Sequence, residues 1–135
     1  MKKLIIASLL LSVCSALLLI PSDAASASDL SKWTWEDTAL QTVYSGLVAA
    51  DYAQTLHITR DPVHYYEAEA DRFIGKYPSK RKVNAYFSAM LLGHTAISYL
   101  LPKPYRTIWQ GAYISYEYNT IQENRSIGLG ISLHY

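Results

Sequence analysis

Residues 83–101, VNAYFSAMLLGHTAISYLL, run for nineteen positions without a fixed charge, between Lys80, Arg81 and Lys82 on one side and Pro102, Lys103, Pro104 and Arg106 on the other. As a helix rising about 1.5 Å per residue, the stretch is roughly 30 Å long, which matches the hydrocarbon core of a bilayer. Any fold of this chain has to cover that rod, with lipid or with protein. Asn84, Ser88, His94, Thr95 and Ser98 interrupt it and suit a helix packed against protein better than one alone in lipid. Ala85, Ala89 and Gly93 recur every four residues, a smooth face that lets a second helix approach closely.

The chain has 135 residues, enough for one domain. Residues 1–27 read as a secretory signal peptide: Lys2 and Lys3 open it, an apolar run covers 4–20, and Ala25-Ser26-Ala27 closes a short polar tail. An uncleaved anchor is the alternative. The single envelope domain is then 28–135. Cys14, the only cysteine, lies in the apolar run after Val13, where a lipidation site wants a small residue; the domain itself has no thiol or disulfide. From residue 28 onward ten Lys and Arg face ten Asp and Glu. A balanced chain has no electrostatic footprint for nucleic acid.

In chain order, Thr34 with Asp37 forms a capping-box pattern, and Glu36 and Asp37 suit the positive end of a helix expected over residues 34–58. Trp33 and Trp35 suit a water–lipid boundary. As a span, this helix has to bury Asp51, Gln54 and Thr55 near its far end; as an amphipathic helix it does not. Asp61-Pro62 restarts the chain, 63–74 reads as a short polar helix ended by Gly75, and 76–82 is a basic loop whose Ser79 caps the next helix. The 34–58 helix is expected against the Ala85, Ala89, Gly93 face. A two-span hairpin places Arg60, Arg72, Lys76, Lys80, Arg81 and Lys82 on one side of the membrane, in keeping with the positive-inside rule.

The last third changes character. Residues 108–121 are rich in Tyr, Ile and Thr, and 126–135 alternate strictly, with Ile127, Leu129, Ile131, Leu133 and Tyr135 on one side. With 122–125 as the turn, the region predicts a β-hairpin. The competitor is a third long helix over 105–122, because Trp109, Ala112, Tyr113 and Tyr116 also fall at helical spacing. The fold class is therefore mainly α: two long packed helices, a short helix between them and a C-terminal β-hairpin.

Three short patterns stand out in the middle of the chain: Asp51-x-x-Gln54-Thr55, Gly75-x-x-Pro78-Ser79 and Val83-Asn84-x-Tyr86-Phe87. In these the chain, from about residue 33 onward, resembles small signal-bearing envelope proteins of Gram-negative bacteria and their phages. It departs from them at Glu69, Ala70 and Asp71, where those proteins carry an Asn-Pro pair. The resemblance implies an exported protein and brings no activity with it.

Two residue sets carry candidate chemistry. Asp51, Gln54, Asn84 and His94 on two packed helices would form one buried polar set, and a buried carboxylate beside a histidine suits a proton or cation relay. The plain alternative is helix-to-helix hydrogen bonding. The second set is His64, Glu67 and Asp71, flanked by His57 and Asp61; on one helix these share a face and offer ligands for a divalent metal, though the spacing matches no metal signature. No nucleophile elbow, P-loop or zincin motif is present. The sequence thus points to a non-enzymatic envelope membrane protein, inner membrane favoured, that contacts lipid and an envelope protein partner or a second copy of itself. The alternatives are a small metal- or proton-dependent activity at the buried polar set, and a soluble periplasmic binding module.

Overall fold

Thr34 decides where the first helix begins. In the computed structural model, which describes residues 32–130, its hydroxyl accepts from the Asp37 amide while Asp37 Oδ2 accepts from the Thr34 amide at 2.7 Å. Helix α1 then runs Trp35–Arg60 and stops before Pro62, which cannot supply an amide to a following turn. A single turn, α2, covers Asp71–Ile74 and is closed by Gly75 at φ 88°, a backbone conformation that favours glycine. Ser79 caps α3, Lys80–Leu100, through the Lys82 amide; α4, Lys103–Ser126, starts on Pro104 in its first turn and is followed by Gly128 at φ 90°.

Helix α1 is the centre of the molecule: α4 packs along most of one side, α3 lies on another, and α3 and α4 touch each other little. The two interfaces differ in chemistry. Between α1 and α3, Tyr44 and Val48 pack on Val83 and Phe87, with Ala70 and Ile74 of the intervening segment closing the same cluster. Between α1 and α4 the buried side chains are largely polar: Asp37, Asp51, Gln54 and Thr55 face Arg106, Gln110, Glu117 and Thr120.

The C-terminal β-hairpin is overturned. Residues 108–121 lie inside α4, in line with the competing helix over 105–122, and no strand occurs among the described residues. Arg106, Trp109, Gln110, Glu117, Thr120 and Ile121 recur at helical spacing and are all buried, so one face of the helix outweighs the strand preference of Tyr, Ile and Thr. Residues 131–135 of the expected second strand lie outside the described residues; Ile127 and Gly128 form a turn, and Leu129 is buried rather than paired.

The membrane-spanning helices are overturned as well: among the described residues no helix is long and apolar enough to cross a membrane. Helix α3 includes Lys80, Arg81 and Lys82 in its first turn and buries His94 and Ser98, while α1 buries Asp37, Asp51, Gln54 and Thr55. Asp37, Asp51 and Gln54 among these require polar protein partners that lipid does not supply. The signal-peptide segment, 1–27, lies outside the described residues, and nothing among the described residues supports the membrane assignment that went with it. The smooth face of α3 is also not where α1 packs. Ala85, Ala89 and Gly93 are exposed, and Leu92 beside them is 71% exposed. The opposite face is preferred because Val83, Phe87, Met90 and Leu91 offer more apolar area to bury.

Candidate functional site, an acidic cavity

Three polar arrangements occupy the middle of the bundle, and the third opens onto a cavity. The first is the Arg106 node. Fully buried, its Nη1 donates to Asp37 Oδ2 at 2.8 Å and to the Lys32 carbonyl at 3.1 Å, its Nε to the Ser98 carbonyl at 2.8 Å and its Nη2 to the Leu101 carbonyl at 2.9 Å. The guanidinium also lies 5.2 Å from the Trp33 ring, which stacks on Tyr99. Burial alone pushes the Asp37 carboxyl up, but the Thr34 amide, the Thr34 hydroxyl and the Arg106 guanidinium together hold it below the usual carboxylate range. This node ties the starts of α1 and α4 to the end of α3. It is a staple, with all three guanidinium nitrogens of Arg106 donating.

The second is an aromatic nest around His94. Its ring stacks on Tyr44 at 3.7 Å between centroids and on Trp109 at 5.7 Å, with Tyr113 edge-on at 5.1 Å. The imidazole is 3% exposed, neither ring nitrogen has a hydrogen-bond partner, and burial pushes its pKa down to about 4. A neutral imidazole in that setting serves as a flat, polarisable core residue.

The third arrangement starts at Asn124 on α4. Its amide donates to Asp51 Oδ1 at 3.0 Å and to Gln54 Oε1 at 3.1 Å, and Gln54 Nε2 in turn donates to the Leu129 carbonyl at 3.0 Å. Asp51 opens onto a partly enclosed cavity of about 60 Å³ between α1, α3, α4 and the segment before α2. Four carboxyl groups line it, Asp51, Glu67, Glu69 and Glu117, and no lysine, arginine or histidine does.

The four carboxyls come from three parts of the chain: α1, α4 and the turn before α2. Glu67 Oε1 accepts the amides of Glu69 and Ala70, both at 2.9 Å, which folds the chain before α2 into a tight turn with its acidic side chains inward. Glu69 Oε2 accepts the Tyr116 hydroxyl at 3.0 Å and the Thr120 hydroxyl at 2.9 Å, which latches that turn onto α4. Glu117 is 1% exposed, and its Oε2 has no hydrogen-bond partner. Burial, followed by the nearby carboxylates of Asp51 and Glu69, pushes Glu117 up to about 8. Burial and the carboxylates of Glu67 and Glu69 push Asp51 up to about 7, against the opposing effect of the Asn124 hydrogen bond. Both carboxyls therefore hold their protons more tightly than a free carboxyl does, and a positive charge entering the cavity would favour their release.

The residues singled out from sequence divide between these places. Asp51 and Gln54 are brought together, through Asn124. His94 is kept apart: it touches Tyr44, seven residues and hence about 10 Å back along α1 from Asp51. Asn84 is exposed and accepts from the Tyr52 hydroxyl at 2.9 Å on the rim of a second, more open hollow of about 340 Å³ lined by Ser45, Val48, Ala49, Ser88 and Leu91. Of the second set, only Glu67 reaches the cavity. His64, 73% exposed at its side chain, pairs with Asp61 at 2.8 Å, and Asp71 faces solvent at the start of α2. Because α2 is one turn rather than a helix over 63–74, the three share no helical face. Among the described residues no group of three or more His, Cys, Asp or Glu is placed to hold a metal ion.

Sequence reasoning missed Glu117, Glu69, Asn124 and Arg106. Glu117 had one signal: it is the sole charged residue between Arg106 and Glu123. That signal carries weight only once the stretch is read as a helix, where Glu117 falls on the face of Arg106, Trp109 and Gln110. Compared with known protein families, curated proteins and solved structures, the chain has no match.

Proposed function

We propose that this protein is a non-enzymatic binding module that takes a positively charged group into the acidic cavity. The observation that carries this reading is Glu117: a carboxyl 1% exposed, one oxygen without a partner, on a cavity it shares with three further carboxyls and no cationic side chain. A buried carboxyl without a partner is costly to the fold, by several kcal/mol when ionised. A bound cation offsets that cost, and no protein group on the cavity wall does. The neighbouring groups are anchored in the meantime, Glu67 by two amides, Glu69 by two hydroxyls and Asp51 by Asn124, so the acidic wall exists before a ligand arrives.

A test is thermal unfolding of the full chain at pH 8.5 against a panel of monovalent, divalent and alkylammonium chlorides at matched ionic strength. The expected result is a dose-dependent rise in Tm with one cation class over sodium, absent in Glu117→Gln. Equal Tm values across the panel would sink the proposal.

A further inference from the structure

Resting on that cation-binding reading, we infer that the cavity's ligand is a primary alkylammonium group, the –CH2–NH3+ end of a small amine or of a lysine-like side chain. The wall has two kinds of surface. One is acidic, from Asp51, Glu67, Glu69 and Glu117; the other is apolar and π-rich, from Tyr86, Phe87 and Met90 among others. A metal ion uses only the first kind. It needs several oxygens converging on one point at about 2.0–2.6 Å, and among the described residues no three carboxyls or imidazoles converge in that way.

The acidic groups are instead spread round the wall and partly committed. Asp51 Oδ1 accepts from Asn124, Glu67 Oε1 from two amides and Glu69 Oε2 from two hydroxyls. An ammonium asks for less convergence: three separate N–H donors, each needing one acceptor at about 2.8 Å. Glu117 Oε2, buried and without a partner, is ready to be the first of these. The second kind of surface then has a use. Aromatic faces attract a cation that keeps a carbon stem, and the stem buries its methylenes against Phe87 and Met90. Volume agrees, since about 60 Å³ has room for a few non-hydrogen atoms.

The experiment uses the full chain at pH 8.5 with methylammonium, tetramethylammonium, magnesium and calcium chlorides, each read as the change in Tm over sodium chloride at equal ionic strength. The expected result is a rise of roughly 5 °C or more at saturating methylammonium, with tetramethylammonium, which has no N–H to donate, no better than sodium. Glu117→Gln and, as a second variant, Asp51→Asn should each fold cooperatively and lose most of that rise. A rise with magnesium or calcium but none with methylammonium overturns the ammonium inference and leaves the cation-binding reading standing. Equal rises with methylammonium and tetramethylammonium also overturn it, because N–H donation would then be irrelevant. No rise with any cation overturns both, as does a methylammonium effect that persists undiminished in the two variants.

Discussion

Replacing Glu117 by Gln should make the protein more stable at alkaline pH and leave it nearly unchanged at mildly acidic pH. In the unfolded chain the Glu117 carboxyl loses its proton near its ordinary 4.5, and in the fold near 8. Between those values the native state holds a proton that the unfolded state has released, so native stability falls as pH rises through this window. At about 1.4 kcal/mol per pH unit, the rise from 4.5 to about 8 sets a ceiling of roughly 5 kcal/mol above pH 8. Asp51 is raised beside it, and the two carboxyls share part of the same penalty, so about 2–4 kcal/mol is the fair expectation. The amide of Gln has the same shape and cannot ionise. For a domain of about a hundred residues the gain corresponds to a Tm roughly 10 °C or more above wild type at pH 9. The assay is urea unfolding of both proteins at half-unit steps from pH 5 to pH 9. Asp51 still titrates in the variant, so its curve should keep a slope, reduced by about one proton. Parallel wild-type and variant curves would refute the assignment of a buried, protonated carboxyl at this position.

Four further outcomes follow from the same structure. His94→Phe should remove an acid-side loss of stability: the fold holds the imidazole neutral down to about pH 4, so the wild type loses up to about 3 kcal/mol as pH falls from about 6.5 to 4, and the variant does not; an unchanged acid limb in pH-dependent unfolding argues against it. Arg106→Met should destabilise by about 3–5 kcal/mol, because Asp37 is left buried with its charge partner gone; a loss below about 1 kcal/mol in urea unfolding contradicts the staple. Thr120→Val combined with Tyr116→Phe removes both latches on Glu69 and should lower stability by about 1–3 kcal/mol, with faster amide exchange across residues 65–70 than in wild type. Ala89→Lys, on the open face of α3, should change unfolding free energy by no more than about 0.5 kcal/mol; a large loss would mean that this face is covered.

The helical skeleton was legible from local chemistry. Thr34 and Asp37 marked the start of α1, Ser79 the start of α3, Gly75 the end of α2 and Pro102 the end of α3, because caps and breakers act on their own neighbours within a turn. The Tyr, Ile and Thr content of 108–121 misled for the converse reason. Strand propensity is a weak preference, and in 108–121 it yielded to burial of the Trp109, Gln110 and Glu117 face. The apolar stretch 83–101 was long enough for a bilayer, but its own polar residues and the lysine–arginine turn at its start left it short of a span.

What the sequence determined by itself was the set of parts: a charge-free helix-forming stretch, capped helix starts, balanced charge from residue 28 onward and Asp51 beside Gln54 on one helix face. The tertiary structure decided which carboxyls meet. Asp51 and Glu117 are 66 positions apart, and Glu67 and Glu69 sit in an irregular turn, so no spacing rule brings them to one cavity. Only the packing of α4 on α1, with the turn latched onto α4 by Glu69, takes Asp51, Glu67 and Glu117 out of water and raises the affinity of Asp51 and Glu117 for protons. Helix periodicity is written within a few residues of chain, whereas the electrostatics of a buried site depends on what comes within a few ångströms through space.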